Sequence, residues 1–224
     1  MAAKRLSLAD SFFLNAESRD AYMHVAMLHR YALPEGAGPD WVGQMIARMK
    51  SYPVDQSPFN LRLKTGLGSK VAPAWEVDDK IDIDYHLRHA ALPHPGGERE
   101  LGVLISRLHS QPLDKNRPLW ECTIIEGLDD GSFAIYFKIH HALMDGMSGS
   151  RTMSRCLSPD PSNTNMPAFW AMPPLKRASA AVPKAIAESA QALARTNVLS
   201  VLGQSFKAWM RMLRAAPESG LIGP

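Results

Sequence analysis

Cysteine is scarce: only Cys122 and Cys156 occur in the 224 residues. They lie far apart and form no CxxC pair, so neither a disulfide framework nor a cysteine-based zinc site can be built from them, and a reduced compartment is the default. Long apolar runs are lacking too. No stretch reaches the roughly 18 apolar residues that a membrane span needs. The opening "MAAKRLSLADSFFLNAESRD" has no apolar core of the signal-peptide kind, so a soluble cytoplasmic protein is expected. Charge of one sign is also sparse. The net charge of +3 is too small to point to nucleic acid. The HExxH pattern of zinc proteases and the G-x-S-x-G elbow of serine hydrolases are both absent. What remains is ordinary globular composition, 46% hydrophobic, long enough for one large domain or two small ones.

Periodicity then places the elements. Ser7, with Asp10 three residues on and "SFFL" behind it, predicts a short capped helix. "YMHVAMLHRYAL" alternates, with Met23, Val25 and Met27 on one face, as a half-buried strand does. "GPDWVGQMIARMKSYP" carries Trp41, Met45, Arg48 and Met49 at helical spacing between Pro39 and Pro53. "FNLRLKTGL" and "IDIDYHLRHAAL" predict strands. "GGERELGVLISRLHSQPLD" is an amphipathic helix with Leu101, Leu104, Ile105 and Leu108 on its apolar side. "LWECTIIEGL" and "SFAIYFKIHH" are strand-like runs around "DDG", a hairpin signal, and "SGSRTMSRCLS" predicts a helix. This mixed order predicts an α/β or α+β layered fold, a mixed sheet flanked by helices. Residues 1–157 are read as one domain and 158–224 as a linker and helical connector. The linker is "SPDPSNTNMPAFWAMPP", rich in Pro, Ser and Asn.

The connector differs in character. From Lys176 to Glu218 seven basic residues stand against two acidic ones, an excess larger than that of the whole chain. Leu202, Phe206, Trp209 and Leu213 form an apolar stripe beside Lys207, Arg211 and Arg214. A basic amphipathic helix of this kind can dock on its own protein or lie on a membrane surface. Both readings stay open.

The chemistry concentrates in "KIHHALMDGMSG", Lys138–Gly149. Along the preceding strand Phe133, Ile135, Phe137, Ile139 and His141 point one way, and Ala134, Tyr136, Lys138 and His140 the other. Adjacent strand residues face opposite sides, so His140 and His141 cannot easily share one metal ion. Ser148 and Ser150 are near but sit in no nucleophile elbow. A histidine at a strand end is well placed to act as a general base, since imidazole takes a proton near neutral pH. A hydroxyl or amine so activated could attack a thioester directly, with no nucleophilic side chain. Asp145 could orient His141, or turn away and hold the loop through an arginine. Gly146 and Gly149 are expected to let the loop bend and a ligand approach. His24, His86, His89, His94 and His109 show no partner pattern and are read as structural or surface residues.

"HHALMDG" is similar to the HHxxxDG motif of the CoA-dependent acyltransferases, which include chloramphenicol acetyltransferase and peptide synthetase condensation domains. "LSLADSFFLNAES", "MHV", "PLDKNRPLWECTIIEGL" and "FKIHHALMDGMSG" together resemble the N-terminal half of bacterial wax ester synthase/diacylglycerol acyltransferases. The resemblance runs in ordered blocks from about Leu6 to Leu157. It implies a chloramphenicol-acetyltransferase-like domain that moves a fatty acyl group from acyl-CoA, a co-substrate, to a long-chain alcohol or diacylglycerol, with no cofactor or metal. It implies that His141 is the general base, His140 its motif neighbour, and Asp145 and Gly146 structural. Pro118, Leu119 and Trp120 match the "PLW" block, which implies a place along the acyl or alcohol channel; plain core packing is the alternative for Trp120. Tyr22 and Ala26 depart from the family's Pro and Gly on either side of "MHV". The family has two such domains, so the partner implied is a C-terminal half, with the connector docked against it or touching a membrane or lipid-droplet surface. An enzyme using a carrier-protein thioester and a non-catalytic lipid- or CoA-binding module are the alternatives.

Overall fold

The computed structural model describes residues 4–64, 73–160, 163, 165 and 167–174. Contacts divide the chain into two units, Met1–Leu175 and Lys176–Pro224. The second lies outside the described residues, and with it the expected basic amphipathic helix. No helix among the described residues is long and apolar enough to cross a membrane.

Strands β2 (His24–Tyr31), β5 (Leu87–Ala91), β6 (Trp120–Glu126) and β7 (Phe133–His140) form a four-stranded sheet in the order β2-β7-β6-β5. β7 runs antiparallel to both its neighbours, and β5 runs parallel to β6. The sheet is therefore mixed, as expected. A smaller antiparallel sheet joins β1 (Lys4–Arg5), β4 (Ala74–Val77) and β3 (Leu61–Leu63) in the order β1-β4-β3.

Every residue of β7 is buried. Its odd positions, Phe133, Ile135, Phe137 and Ile139, enter the largest core with Met45, Phe59 and Ile124. Its even positions Ala134 and Tyr136 enter a second core with Leu101 of helix α4 (Glu98–His109). A strand covered on both faces reads as a nearly continuous apolar run, which explains "FAIYFKIH". The turn from β6 to β7 is tight. Gly127 and Gly131 adopt φ of +82° and +72°, a region that L side chains enter at a cost. Gly96 adopts φ +79°, and a Cβ there would stand 2.0 Å from the Gly127 carbonyl oxygen. Gly96→Ala is therefore expected to cost about 1–3 kcal/mol, from backbone strain before the clash is counted. Gly102→Ala, in the exposed interior of α4 with nothing within 4 Å of the added Cβ, should instead stabilise by about 0.5–1 kcal/mol. Melting temperatures of the two variants check the opposite signs.

Helix α1 (Leu8–Ala16) begins with the expected capping box: the Asp10 N–H donates to Ser7 Oγ at 3.1 Å, and the Ser7 N–H to Asp10 Oδ2 at 3.3 Å. Helix α2 (Trp41–Lys50) buries Val42, Met45, Ile46 and Met49. Helix α5 (Gly146–Cys156) follows the double histidine.

Three expectations need correction. "IDIDYHLRHAAL" is not one strand. Asp82 accepts the Asp84 N–H at 3.1 Å and caps a single helical turn, α3 (Ile83–His86), so β5 starts only at Leu87. β1 and β4 were not anticipated, because runs of two and four residues carry no measurable period. The supposed linker is partly core. Within it Phe169–Ala171 form a 3₁₀ turn, and Trp170 is fully buried, stacks on Trp120 at 5.4 Å and donates from Nε1 to the Tyr52 carbonyl at 3.3 Å.

Candidate active site

β7 ends at His140, and the main chain there is held on both sides. The His140 N–H donates to the Leu119 carbonyl at 2.9 Å, on the β6 side, and the His141 N–H donates to the Met23 carbonyl at 2.8 Å, on the β2 side. The chain then turns, with Leu143 N–H donating back to the His140 carbonyl at 2.9 Å. The double histidine is thus fixed from two neighbouring strands before any side chain is considered, which is the rigid support a reacting group needs.

The two rings differ. His141 is half-buried and stacks on Phe13 of α1, with ring centroids 3.9 Å apart and planes 25° apart. Its Nδ1 is buried and has no hydrogen-bond partner among the described residues, which leaves Nε2 as the nitrogen a substrate can reach. His140 is fully buried. Its Nδ1 accepts the Ala142 N–H at 3.0 Å, so the neutral ring carries its proton on Nε2. That nitrogen lies 3.7 Å from Glu17 Oε1, and Glu17 also pairs with Lys115. Burial holds His140 well below the ordinary histidine range, with Glu17 pulling upward and Lys115 downward.

Asp145 does not touch the ring of His141. It is the N-cap of α5: its Oδ1 accepts the Ser148 N–H at 2.7 Å and its Oδ2 the Ser148 hydroxyl at 3.1 Å. Asp145 therefore belongs to the loop's scaffold, held by the helix's own serine rather than by an arginine. Gly146 and Gly149 sit inside α5, and neither has the positive φ that would demand glycine. Gly149 brings the helix close to the sheet: a Cβ there would meet Met144 Sδ and Met27 Cε at 3.6 Å. The expected sharp bend is not what these glycines provide.

Pro118, Leu119 and Trp120 are buried among the described residues. Leu119 is fully buried with Trp75, Leu113 and Ala142. The Trp120 ring stacks on His86 at 4.4 Å and on Trp170, and its Nε1–H donates to the Phe59 carbonyl at 2.9 Å. The places of Phe13, Glu17, Lys115 and Met23 at the site were not legible in the sequence, although Phe13 and Glu17 have the four-residue spacing of one helix face.

Around the histidines lies a polar layer. His24, opposite His140 in register, contacts the His109 carbonyl through Nε2 at 2.9 Å, and His109 Nδ1 meets the Tyr136 hydroxyl at 2.8 Å. Buried Lys138 donates to the Leu108 and Gln111 carbonyls at 2.9 and 3.0 Å and pairs with Glu121. Among the described residues no group of three or more His, Cys, Asp or Glu side chains is placed to hold a metal ion.

Burial lowers His24, His86 and His140 alike below the ordinary 6.5. Folding then favours their neutral forms. Their stabilising contribution is complete above the unfolded value near 6.5 and is lost as pH falls from there toward the lowered folded values, because only the unfolded chain takes up the protons. The loss is bounded at about 1.4 kcal/mol per histidine per pH unit. Melting temperature should fall from pH 7 to pH 5, and His86→Phe should flatten that slope.

The profile of the wax ester synthase/diacylglycerol acyltransferase catalytic domain matches residues 6–221. A Mycobacterium tuberculosis protein bearing the name of a diacylglycerol O-acyltransferase is 46% identical over 168 residues, 75% of this chain and 37% of the relative. The wax ester synthase/diacylglycerol acyltransferase from Marinobacter aquaeolei superposes with a TM-score of 0.70 at 37% identity, over 86% of this chain and 46% of that one. A condensation domain of the calcium-dependent antibiotic synthetase shares the fold, with a TM-score of 0.52 at 17% identity, over 66% of this chain and 36% of that one. The chain spans less than half the length of these proteins.

Proposed function

Because the chain belongs to the wax ester synthase/diacylglycerol acyltransferase family, we propose that it carries the base-bearing part of an O-acyltransferase site, one that moves a fatty acyl group from acyl-CoA to a long-chain alcohol or diacylglycerol. The observation that carries this reading is the setting of His141: main chain tied to Met23, ring half-buried and laid on Phe13, and Nδ1 buried.

In this reaction His141 Nε2 takes the proton of the acceptor hydroxyl as the oxygen forms a bond to the thioester carbonyl carbon. The tetrahedral centre collapses, the carbon–sulfur bond breaks, and the CoA thiolate leaves and recovers the proton from the imidazolium. The products are an ester and free CoA. No enzyme nucleophile and no cofactor is required. Asp145 keeps α5 and the loop in place, and His140 supports the turn from below. A C-terminal half, of the kind the greater length of the relatives provides, completes the tunnel and supplies the CoA contacts.

Transfer from palmitoyl-CoA to hexadecanol and to a diacylglycerol, followed by released CoA thiol, tests the proposal. The chain supplied with the C-terminal region of a relative should form ester, and the chain alone should form little. Ester formation only from a carrier-protein thioester, or none with any donor, would overturn the reading.

A further inference from the structure

We infer that Glu17, held by Lys115, is a positioning residue of this site, fixing His140 and through it the turn that presents His141. The inference rests on the reading of His141 as the base.

Glu17 follows the last residue of α1, and its side chain is only 7% exposed. A carboxylate is rarely so buried unless paired. Its two oxygens reach different elements. Oε2 pairs with Lys115, from the segment leading into β6, and Oε1 faces His140 Nε2 at 3.7 Å. The His140 ring is thus hydrogen-bonded at Nδ1, by the Ala142 N–H at the first step of the turn, while its buried Nε2 has no hydrogen-bond partner among the described residues and faces the carboxylate at a distance that only charge spans. Four residues before Glu17, the same helix lays Phe13 on His141. One helix end thus meets adjacent histidines in two ways, by the charge of a nearby carboxylate and by a stacked ring. Lys115 completes the arrangement, because its segment continues to Leu119, whose carbonyl takes the His140 N–H.

A second proton on His140 would have to occupy Nδ1 and would displace the Ala142 N–H. The charged and titratable groups that act on His140 are Glu17 after α1, Lys115 before β6, His24 on β2 and His141 in the turn; after burial, Glu17 favours the protonated ring and the other three oppose it. Glu17 and Lys115 therefore pull the titration of His140 in opposite directions.

The test combines ¹⁵N side-chain NMR of His140 in the 224-residue chain with kinetics of the chain paired with a C-terminal region. Glu17→Gln should lower the His140 titration midpoint and Lys115→Gln should raise it. Glu17→Gln should also reduce kcat by roughly tenfold to a hundredfold, as a small displacement of a reacting group does, with KM for palmitoyl-CoA changed less than about twofold. Glu17→Asp should recover part of the rate. Shifts in the same direction, or a Glu17→Gln variant with unchanged kcat and unchanged titration, would overturn the inference. If Glu17→Gln does not fold, Glu17→Asp and Lys115→Gln give the same comparison. If the wild-type pairing transfers no acyl group, the functional reading fails, while the NMR arm still decides whether Glu17 controls His140.

Discussion

His141→Ala is expected to lower acyl transfer by about 10²–10⁴-fold, the range that removal of a well-placed general base produces. On the proposed mechanism the acceptor hydroxyl would then have to lose its proton to water. The main-chain bond from His141 to Met23 survives the substitution, and the ring's chief partner is the partly exposed Phe13. The variant should therefore fold and melt within a few degrees of the parent. CoA-thiol release measured beside a thermal melt separates the two quantities. A variant that folds and transfers at the parental rate would remove His141 from the chemistry. His141→Gln is an informative companion, since it keeps polarity and approximate size but cannot take a proton, and it should be nearly as slow as His141→Ala.

Trp120→Ala is expected to act on stability instead, by about 3–5 kcal/mol. The ring is fully buried between His86 and Trp170, and Phe59 meets it edge-on at 5.8 Å. Its loss would leave a cavity and an unpaired Phe59 carbonyl together. Against a total stability of 5–15 kcal/mol for a typical domain, that is enough to lower the melting temperature by many degrees or to prevent folding. Trp120→Phe, which keeps most of the stack and loses only the bond to Phe59, should cost about 1–3 kcal/mol. The channel interpretation of "PLW" makes the opposite forecast: near-normal melting with an altered preference among acyl chains or acceptors. Denaturant titration alongside a comparison of acyl-CoA chain lengths distinguishes them.

The alternation of "SFAIYFKIHH" sufficed to sort β7 into Phe133, Ile135, Phe137 and Ile139 on one core and Ala134 and Tyr136 on another, because a period of two survives whatever packs against it. The capping box of α1 was equally legible from Ser7 and Asp10. Partners were not. The carboxylate facing His140 is 123 positions away in the chain, at the end of a different element, and strand periodicity says which way a ring points but not what it meets. Trp120 was ambiguous for a different reason: an apolar aromatic suits a core and a channel equally, and the ring that settles its surroundings, Trp170, comes from a stretch whose proline, serine and asparagine content signals a linker. For Asp145 a signal existed. An aspartate three residues ahead of Ser148, at the start of a helical run, has the spacing of an N-cap, and the neighbouring histidines drew the eye from it.

The pairing of β2 with β7 joins His24 to His140 and Tyr31 to Phe133, contacts that close loops of more than a hundred residues. Such pairings form late, because the chain entropy of closure must be overcome before any contact repays it. During synthesis β2 emerges long before its partner exists, and its half-apolar edge has to wait for the β6–β7 hairpin, which forms locally. The Met23 carbonyl that receives the His141 N–H arrives with that last strand. A chain in which β2 has not yet paired lacks the Met23 carbonyl that holds the His141 main chain, so the turn carrying the double histidine is anchored on that side only when this long-range pairing is made.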